Sequence, residues 1–223
     1  MSPTGKGISA AEARRFYDRY GAKQDDIRHE DEARSELQRL SVFEHACNVF
    51  ELGCGTGSFA RKLFDESFPT TTRYLGVDVS STMIDLAQDK LEELRPRARV
   101  VQTDGELEFN EPDGFYDRFV ACYVFDLLPE EKIREGAAEA HRLLAKEGRL
   151  CLVSLTRGGG NPVARTVSAL WSGLQRIGPN AVGGCRPIDM TRYLPKSQWD
   201  VKYADVITSH GVPSQITIAV PKK

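Results

Sequence analysis

Apolar and polar positions follow two alternating periodicities along most of the chain. Short apolar runs, typical of buried strands, cover residues 49–52, 74–79, 99–103, 116–125 and 149–155. Segments with apolar residues three or four positions apart lie between them, as in amphipathic helices. Alternation of this kind predicts an α/β domain with a mostly parallel sheet, right-handed connections and helices on both faces.

Residues that commonly start or end helices and turns predict further elements outside these runs. Ser9 and Glu12 form a capping-box pattern that predicts a helix through Tyr20, ended by Gly21. Pro129 is expected in the first turn of a later helix, and Gly148 is expected to stop that helix before the fifth strand. Two β-rich runs, 199–208 and 215–220, predict an antiparallel hairpin connected through residues 210–213.

Three glycines at alternate positions follow the first strand. Gly53, Gly55 and Gly57 come shortly after Glu51, and a helical pattern begins next. Glycine accepts positive φ and has no Cβ to obstruct a ligand, so a strand, glycine loop and helix in this order predict a nucleotide-like ligand.

The spacing separates two kinds of ligand. A dinucleotide fingerprint needs G-x-G-x-x-G/A, but Ser58 stands at its sixth position. The loop instead resembles the E-x-G-x-G-x-G motif of class I S-adenosylmethionine-dependent methyltransferases. Glu51 agrees with this resemblance, because the methionine end of that cofactor carries an ammonium group where NAD carries a pyrophosphate.

The resemblance extends from about residue 49 to 155. Asp78 ends the second strand, where a carboxylate can accept hydrogen bonds from both ribose hydroxyls; a helix N-terminal acid is its other interpretation. The resemblance implies that Asp104 and Gly105 lie beside the adenine and that Cys122 to Phe125 face the methyl donor. It also implies a Rossmann-like, seven-stranded sheet closed by the C-terminal hairpin. The predicted cofactor residues are Tyr17, Tyr20, Glu51, Gly53, Cys54, Gly55, Gly57, Asp78, Val79, Met83, Asp104, Gly105, Cys122 and Tyr123.

We interpret residues 1–223 as one methyltransferase domain. Residues 1–46 form a helical lid, 47–155 the cofactor-binding core, 156–190 a basic lid or substrate insertion, and 191–223 the hairpin region. Residues 16–21 resemble the N-terminal lid of small-molecule methyltransferases, of methyltransferase type 11 and of the quinone-biosynthesis type. Tyr17 and Tyr20 are therefore expected to cover the cofactor, although their spacing also suits a stripe that packs the helix down.

The interval 148–188 has no aspartate or glutamate but five arginines. It predicts either a helix that covers the sheet, or a lid for an anionic or lipid-like acceptor, with peripheral membrane contact as a less favoured alternative.

The composition argues against nucleic-acid-binding, membrane-spanning, secreted and metal-binding proteins. The 223 residues have a formal net charge of −2, no basic-aromatic pattern for nucleic acid, no apolar run near membrane-spanning length and no signal-peptide core. Five cysteines without a C-x-x-C pair and four scattered histidines indicate neither a disulfide framework nor a metal site. We therefore expect a metal-free cytoplasmic protein.

The acceptor is the least determined part of the prediction. Residues 121–124 differ from the Asn/Asp-Pro-Pro-Tyr of enzymes that methylate base or glutamine nitrogens, which favours a small-molecule acceptor. Weak candidates for a catalytic base are Tyr123, Asp126, His29 and His210. Two alternatives stay open: a non-catalytic S-adenosylmethionine-binding regulatory or partner protein, and an NAD-dependent oxidoreductase.

Overall fold

A computed structural model describes residues 7–21, 25, 28–157 and 185–223. Within these residues, a helix separates the first strand from the second, the second from the third and the fourth from the fifth, while the third and fourth strands follow one another without a helix. The helices are α1 (Ala10–Tyr20), α2 (Arg28–Ser41), α3 (Ser58–Glu66), α4 (Ser81–Lys90) and α5 (Glu130–Leu143). The strands are β1 (Asn48–Leu52), β2 (Arg73–Asp78), β3 (Ala98–Gln102), β4 (Tyr116–Cys122), β5 (Leu144–Leu155), β6 (Trp199–Ser209) and β7 (Val212–Pro221).

The strands form one sheet in the order β3-β2-β1-β4-β5-β7-β6. Neighbours from β3 to β5 pair in parallel, whereas β7 runs antiparallel to both β5 and β6. The predicted mostly parallel, seven-stranded sheet with a C-terminal hairpin is therefore confirmed. Strand order reverses between β1 and β4, and the carboxyl ends of strands at such a switch point are where ligands of open α/β sheets bind.

Two apolar layers sandwich the sheet. Successive side chains of a strand point to opposite faces, so Val49 packs in the layer that contains Leu37 of α2 and Leu63 of α3. Its neighbour Phe50 packs in the other layer, with Ile133 of α5. This arrangement confirms the prediction of helices on both faces.

The hairpin between β6 and β7 turns more tightly than the sequence indicated. His210 and Gly211 have φ of 50° and 79°, and Ser209 pairs with Val212 across them. Two consecutive positive φ values are typical of a type I′ turn, which matches the twist of antiparallel strands. Residues 212 and 213, expected in the connection, therefore belong to β7.

Gly148 does not stop a helix, so that prediction was wrong. Helix α5 ends at Leu143, and the next residue, Leu144, already pairs with Tyr116 of β4. Register is irregular from there to the Arg118–Arg149 pair, and Gly148 lies inside this irregularity. A Cβ on Gly148 would lie 3.0 Å from the Ala145 carbonyl oxygen, so the glycine permits a tight excursion within the strand.

The starts of two helices, α1 and α5, agree more closely with the prediction. Ser9 Oγ accepts a hydrogen bond from the Glu12 N–H, and Glu12 Oε2 accepts one from the Ser9 N–H, which confirms the capping box. Pro129 precedes α5 as its N-cap instead of lying within the first turn.

None of the described helices is long and apolar enough to cross a membrane. Most of the predicted basic segment, residues 158–184, lies outside the described residues.

Candidate functional site

The glycine loop connects β1 to α3 in a conformation that requires glycine. Gly53, Gly55 and Gly57 have φ of 69°, 53° and 75°, all in the left-handed region. A Cβ on Gly53 would lie 2.3 Å from Cγ2 of Val124, so the β1 end also passes too close to the β4 end for a side chain. The three glycines thus bring the backbone against the carboxyl edge of the sheet.

Asp78 joins this loop to the end of β2. Its carboxylate accepts hydrogen bonds from the Gly55 N–H at 3.0 Å and from the Ser80 N–H at 2.9 Å. Burial raises the pKa of Asp78, and these backbone donors act in the opposite direction. The carboxylate is therefore fixed in direction at the position where the sequence predicts ribose binding.

A cavity, here called the central cavity, lies at the carboxyl ends of β1, β2 and β4, with residues after β3 as one wall and α1 as its roof. Part of its lining is the apolar side chains of Ile8, Ala13, Leu107 and Leu127. Seven predicted cofactor residues line it: Tyr17, Gly53, Asp78, Val79, Gly105, Cys122 and Tyr123.

A smaller pocket, here called the Glu51 pocket, adjoins the central cavity and shares Gly53 and Cys122 with it. The predicted residues Cys54 and Gly55 line it too. Glu51 is only 2% exposed. Burial raises its pKa to about 7, although a 2.6 Å hydrogen bond from the Tyr74 hydroxyl and the charge of Arg34 oppose the shift.

The Tyr74 hydroxyl reaches Glu51 because Gly76, two residues along the same strand, leaves space for it. A Cβ on Gly76 would lie 2.5 Å from the Tyr74 oxygen. Sequence reasoning missed both residues, since neither belongs to the glycine loop. Two residues on one face of a strand that passes beside Glu51 are the signal that would have found them.

Arg34 is a second site residue that the sequence did not reveal. It lies on α2, lines the Glu51 pocket, and its Nη2 is 2.7 Å from Glu30 Oε2. Its charge acts on both Glu51 and Cys122. The pocket therefore places a guanidinium and a carboxyl group near each other, a combination that suits the two charged groups of an amino acid.

Asp25 secures the N-terminal segment to the start of α3. Its Oδ1 accepts hydrogen bonds from Thr56 Oγ1 at 2.5 Å and Ser58 Oγ at 2.8 Å, and its Oδ2 accepts one from Lys90 Nζ at 2.7 Å. Burial alone would raise the pKa of Asp25, but the hydrogen bonds from Lys90, Thr56 and Ser58 hold it below its usual value. This link was not predicted.

Helix α1 lies directly over the segment that follows β3. Gly105 has φ of 97°, and a Cβ there would lie 2.2 Å from the Cβ of Ala10. The Ile8 N–H donates to the Leu127 carbonyl oxygen at 2.8 Å, and Arg14 Nε donates to that of Val79 at 2.8 Å. The close approach expected of Gly105 is therefore made by the roof helix.

Several predicted residues lie elsewhere. Asp104 is exposed and accepts a hydrogen bond from the Glu106 N–H; Glu106 lines the central cavity in its place. Met83 is buried at the start of α4, where its N–H donates to Ser80 Oγ, and Gly57 is the N-cap of α3. Neither is part of the lining of the central cavity or the Glu51 pocket.

The predicted catalytic candidates do not all lie at the site. His210 is an exposed turn residue outside both linings, so the structure does not bring it to the site. The side chains of Tyr20 and His29 lie outside the described part of the chain. Phe125, expected to face the methyl donor, is instead buried in the core on the α5 side of the sheet, because β4 ends at Cys122 and the chain turns.

Tyr123 makes that turn, with φ of 58°. Its hydroxyl lies 2.9 Å from Ser214 Oγ of β7, and burial raises its pKa far above the usual range. A phenol with such a pKa is a poor proton acceptor near neutral pH.

Asp126 is fully buried, and burial raises its pKa to about 7. Among the described residues, no group of three or more His, Cys, Asp or Glu side chains has a metal-binding arrangement.

Comparison with known proteins matches this architecture. Residues 49–148 match the family model described as a methyltransferase domain. The chain is 32% identical over 112 residues to an uncharacterized methyltransferase of Anoxybacillus flavithermus, covering 49% of this chain and 48% of that protein. It is also 32% identical over 134 residues to the hybrid PKS-NRPS synthetase apdA of Emericella nidulans, covering 58% of this chain but 3% of the synthetase.

A similar solved structure is the N-methyltransferase NodS of Bradyrhizobium japonicum WM9 in complex with S-adenosyl-L-homocysteine. The TM-score is 0.73 at 18% identity, and the match covers 95% of this chain and 100% of NodS. The chain spans about half or less of the length of the two curated relatives above. Together with the sheet order and the glycine loop, these matches identify a class I S-adenosylmethionine-dependent methyltransferase domain.

Proposed function

We propose that the protein transfers a methyl group from S-adenosylmethionine to a small-molecule acceptor. The observation that carries this proposal is the junction of the central cavity with the Glu51 pocket at Gly53 and Cys122. One side offers an apolar slot with a fixed carboxylate at Asp78, and the other offers a carboxyl group and a guanidinium. S-adenosylmethionine consists of an adenosyl group, which would suit the apolar slot with Asp78, joined to an amino acid, whose two charged groups would suit the carboxyl group and the guanidinium.

Each end of the cofactor has its own set of residues. Asp78 would accept hydrogen bonds from the ribose, while Gly105 and Leu107 would pack beside the adenine under α1. Glu51 would pair with the ammonium group, and Arg34 with the carboxylate. The charge of Arg34 already acts on Glu51 in the protein alone, so both partners stand ready near one another.

The bound cofactor would supply a methyl group that its sulfonium charge has already activated. The task left to the protein is to hold the acceptor in line with that methyl group, and proximity can contribute roughly 7 to 11 kcal/mol to such a step. Helix α1 covers the cavity and would exclude water from it.

Binding of NAD is the weaker alternative. The pyrophosphate of a dinucleotide is normally held at the N-terminus of the helix after the glycine loop. Here the carboxylate of Asp25 is hydrogen-bonded to Thr56 and Ser58 at that helix start. A pyrophosphate in the same place would meet a like charge.

Calorimetry with S-adenosylhomocysteine and with NAD tests the cofactor assignment. We expect micromolar binding of the former and none of the latter; the reverse result would overturn the proposal. Mass spectrometry of reactions with a panel of amines, phenols, carboxylic acids and thiols then separates an enzyme from a non-catalytic binding protein. A small molecule as acceptor and a cytoplasmic location remain our predictions.

A further inference from the structure

The α5 side of the sheet is not covered evenly. Helix α5 packs against β4 and β5, and α4 packs against β2 and β3 on the opposite face. The chain passes from β3 to β4 through residues 103–115, which the structure describes throughout and which contain no helix. The Phe109 ring of this segment lies 4.8 Å from the Phe50 ring of β1, between centroids. No helix of this crossover therefore covers the α5-side face of β2 and β3.

Side chains of the edge strand β3 show which face is open. Ala98 and Val100 pack in the core layer on the α4 side. Successive residues of a strand alternate between faces, so Arg99 and Val101 point to the other face, where both are exposed, Val101 by 41%. Phe115, at the end of the crossover, is exposed by the same fraction. Two large apolar side chains are thus left in water on or beside this face.

A groove of about 720 Å³ lies on this face at the amino ends of β1 to β4, and we call it the β2–β3 groove. Leu75 and Tyr116 are buried parts of its lining, and Pro96, Pro112 and Phe115 are exposed parts. Parallel strands begin at one edge of a sheet and end at the other, so the groove lies at the opposite edge from the central cavity. None of the described residues lines both.

Three arginines, Arg73, Arg97 and Arg99, give the groove its charge. In the part of the chain that the structure describes, none of them has an ion-pair partner. Glu111 is the one acidic residue of the described lining, and its carboxylate accepts a hydrogen bond from the Tyr116 hydroxyl at 2.7 Å. Although the whole chain has a formal net charge of −2, the groove is positive and favours an anionic partner.

We propose that the β2–β3 groove binds an acidic amphipathic helix of a partner protein. The helix would take the position that a helix between β3 and β4 has in a fully alternating α/β fold. Its apolar side chains would pack on Leu75, Val101 and Phe115, and its carboxylates would pair with the three arginines of the groove. Because these arginines have no ion pair to give up, each carboxylate that binds adds a new one. The inference does not depend on the proposed methyl transfer, since the groove and the central cavity lie at opposite edges of the sheet.

Charge and packing argue against an occupant from this chain. Residues 158–184 contain Arg165 and Arg176 but no aspartate or glutamate, so their charge has the same sign as that of the groove. Helices α2 to α5 each place apolar side chains in one of the core layers, and α1 lies over the central cavity. A second copy therefore has no acidic helix with a free apolar face among its described helices. A flat anionic membrane would not reach Leu75 and Tyr116, the buried part of the lining.

Two labelled peptides of about 15 residues, stapled as helices, test the inference. Both carry leucines along one helix face, and their remaining positions are mostly glutamate in one peptide and lysine in the other. Fluorescence anisotropy measures their binding to the full chain. We expect the glutamate peptide to bind with micromolar affinity that weakens as salt is raised, and the lysine peptide to show no measurable binding.

Two pairs of variants locate the binding. Arg99→Glu reverses a charge of the groove, and Lys196→Glu makes the same change at an exposed residue outside its lining. Val101→Ser and Val201→Ser remove exposed apolar side chains from the two edge strands, β3 and β6. We expect about tenfold weaker binding of the glutamate peptide in Arg99→Glu, about fivefold weaker binding in Val101→Ser, and a change of about twofold or less in either control. Thermal unfolding of each variant checks that it is folded.

Hydrogen–deuterium exchange shows where the peptide binds. The bound glutamate peptide should protect residues 96–116 more than residues at the central cavity. Equal binding of the two peptides, binding of neither, equal losses in the groove variants and their controls, or protection confined to the central cavity would overturn the inference. Association with phosphatidylserine vesicles in place of the peptide would also overturn it, because the surface would then be a membrane contact. Binding of S-adenosylhomocysteine in the same samples judges the cofactor assignment separately.

Discussion

Glu51 and Asp126 are both buried carboxyl groups near the carboxyl edge of the sheet, and burial raises the pKa of each to about 7. Their surroundings differ. Glu51 accepts a hydrogen bond from Tyr74 and has Arg34 close by, whereas the Cys185 thiol and the Leu155 backbone act on the carboxyl group of Asp126 and the charge of Glu30 opposes its ionisation. Glu51 lines a pocket that adjoins the central cavity, whereas Asp126 is part of the lining of neither.

The largest expected effect concerns the pH dependence of stability. Both groups have a folded-state pKa above the unfolded value, so the stability they contribute is present in acid and is lost as pH rises from about 4 through about 7. Shifts of this size correspond to roughly 3 to 4 kcal/mol per group. Urea unfolding of Glu51→Gln and Asp126→Asn between about pH 5 and pH 8 should show flatter curves than wild type.

S-adenosylhomocysteine should sharpen this contrast. Its ammonium group would pair with Glu51, so saturating ligand should flatten the part of the pH dependence that Glu51 contributes and leave the part from Asp126. Parallel curves for wild type and both variants would show that neither group has a shifted pKa.

Asp78→Ala should lower the affinity for S-adenosylhomocysteine by about 100-fold, or roughly 2.7 kcal/mol, because it removes both the proposed acceptor for the ribose and the bond to the Gly55 N–H. Asp126→Asn should leave this affinity within about twofold. Calorimetry measures both, with the exposed Asp113→Ala as control. Equal losses in Asp78→Ala and Asp126→Asn would remove the distinction between the two sides.

Gly105→Ala tests the roof that α1 forms over the central cavity. The new Cβ would meet Ala10 at 2.2 Å, which would displace α1 or strain the backbone. We expect a loss of about 2 kcal/mol beyond that of Gly114→Ala, where φ is also positive but the nearest atoms are 3.9 Å away. Thermal unfolding compares them, and equal losses would mean that α1 does not press on Gly105.

Tyr74→Phe should have the smallest effect. It removes the hydroxyl that donates to Glu51, so the pKa of Glu51 should rise further and less carboxylate should be present at neutral pH. We expect about tenfold weaker binding of S-adenosylhomocysteine at pH 7, recovering as pH rises. Tyr203→Phe on β6 is the control, and calorimetry at two pH values reads both. Affinity that does not depend on pH in Tyr74→Phe would contradict the role of Glu51.

The sequence predicted the parts of the molecule that local patterns encode. The glycine loop, Asp78 and the mostly parallel seven-stranded sheet depend on short motifs and on the succession of strands and helices, and the structure has each of these elements. Gly148 misled the prediction because pairing of Leu144 with Tyr116 outweighed a local stop signal.

The rest of the site depends on contacts between distant segments. Arg34, Asp25 and Glu30 come from the N-terminal region, which has no motif for them, and they meet the loop and β4 only after folding. Asp126 could be named from the sequence as one of four weak candidates. Its burial could not, because it arises from how the chain turns after Cys122.

The hydroxyl of Tyr123 lies against Ser214, 91 residues further along the chain. The C-terminal hairpin therefore does more than complete the sheet, since β7 braces the strained turn that follows β4. Deleting β7, or replacing its residues with those of a tag, would remove the support of that turn. We expect methyl transfer to be disturbed, although no proposed ligand contact would have been removed. A variant altered only at Ser214 would remove this one contact and leave the pairing of β7 with β5 and β6 in place.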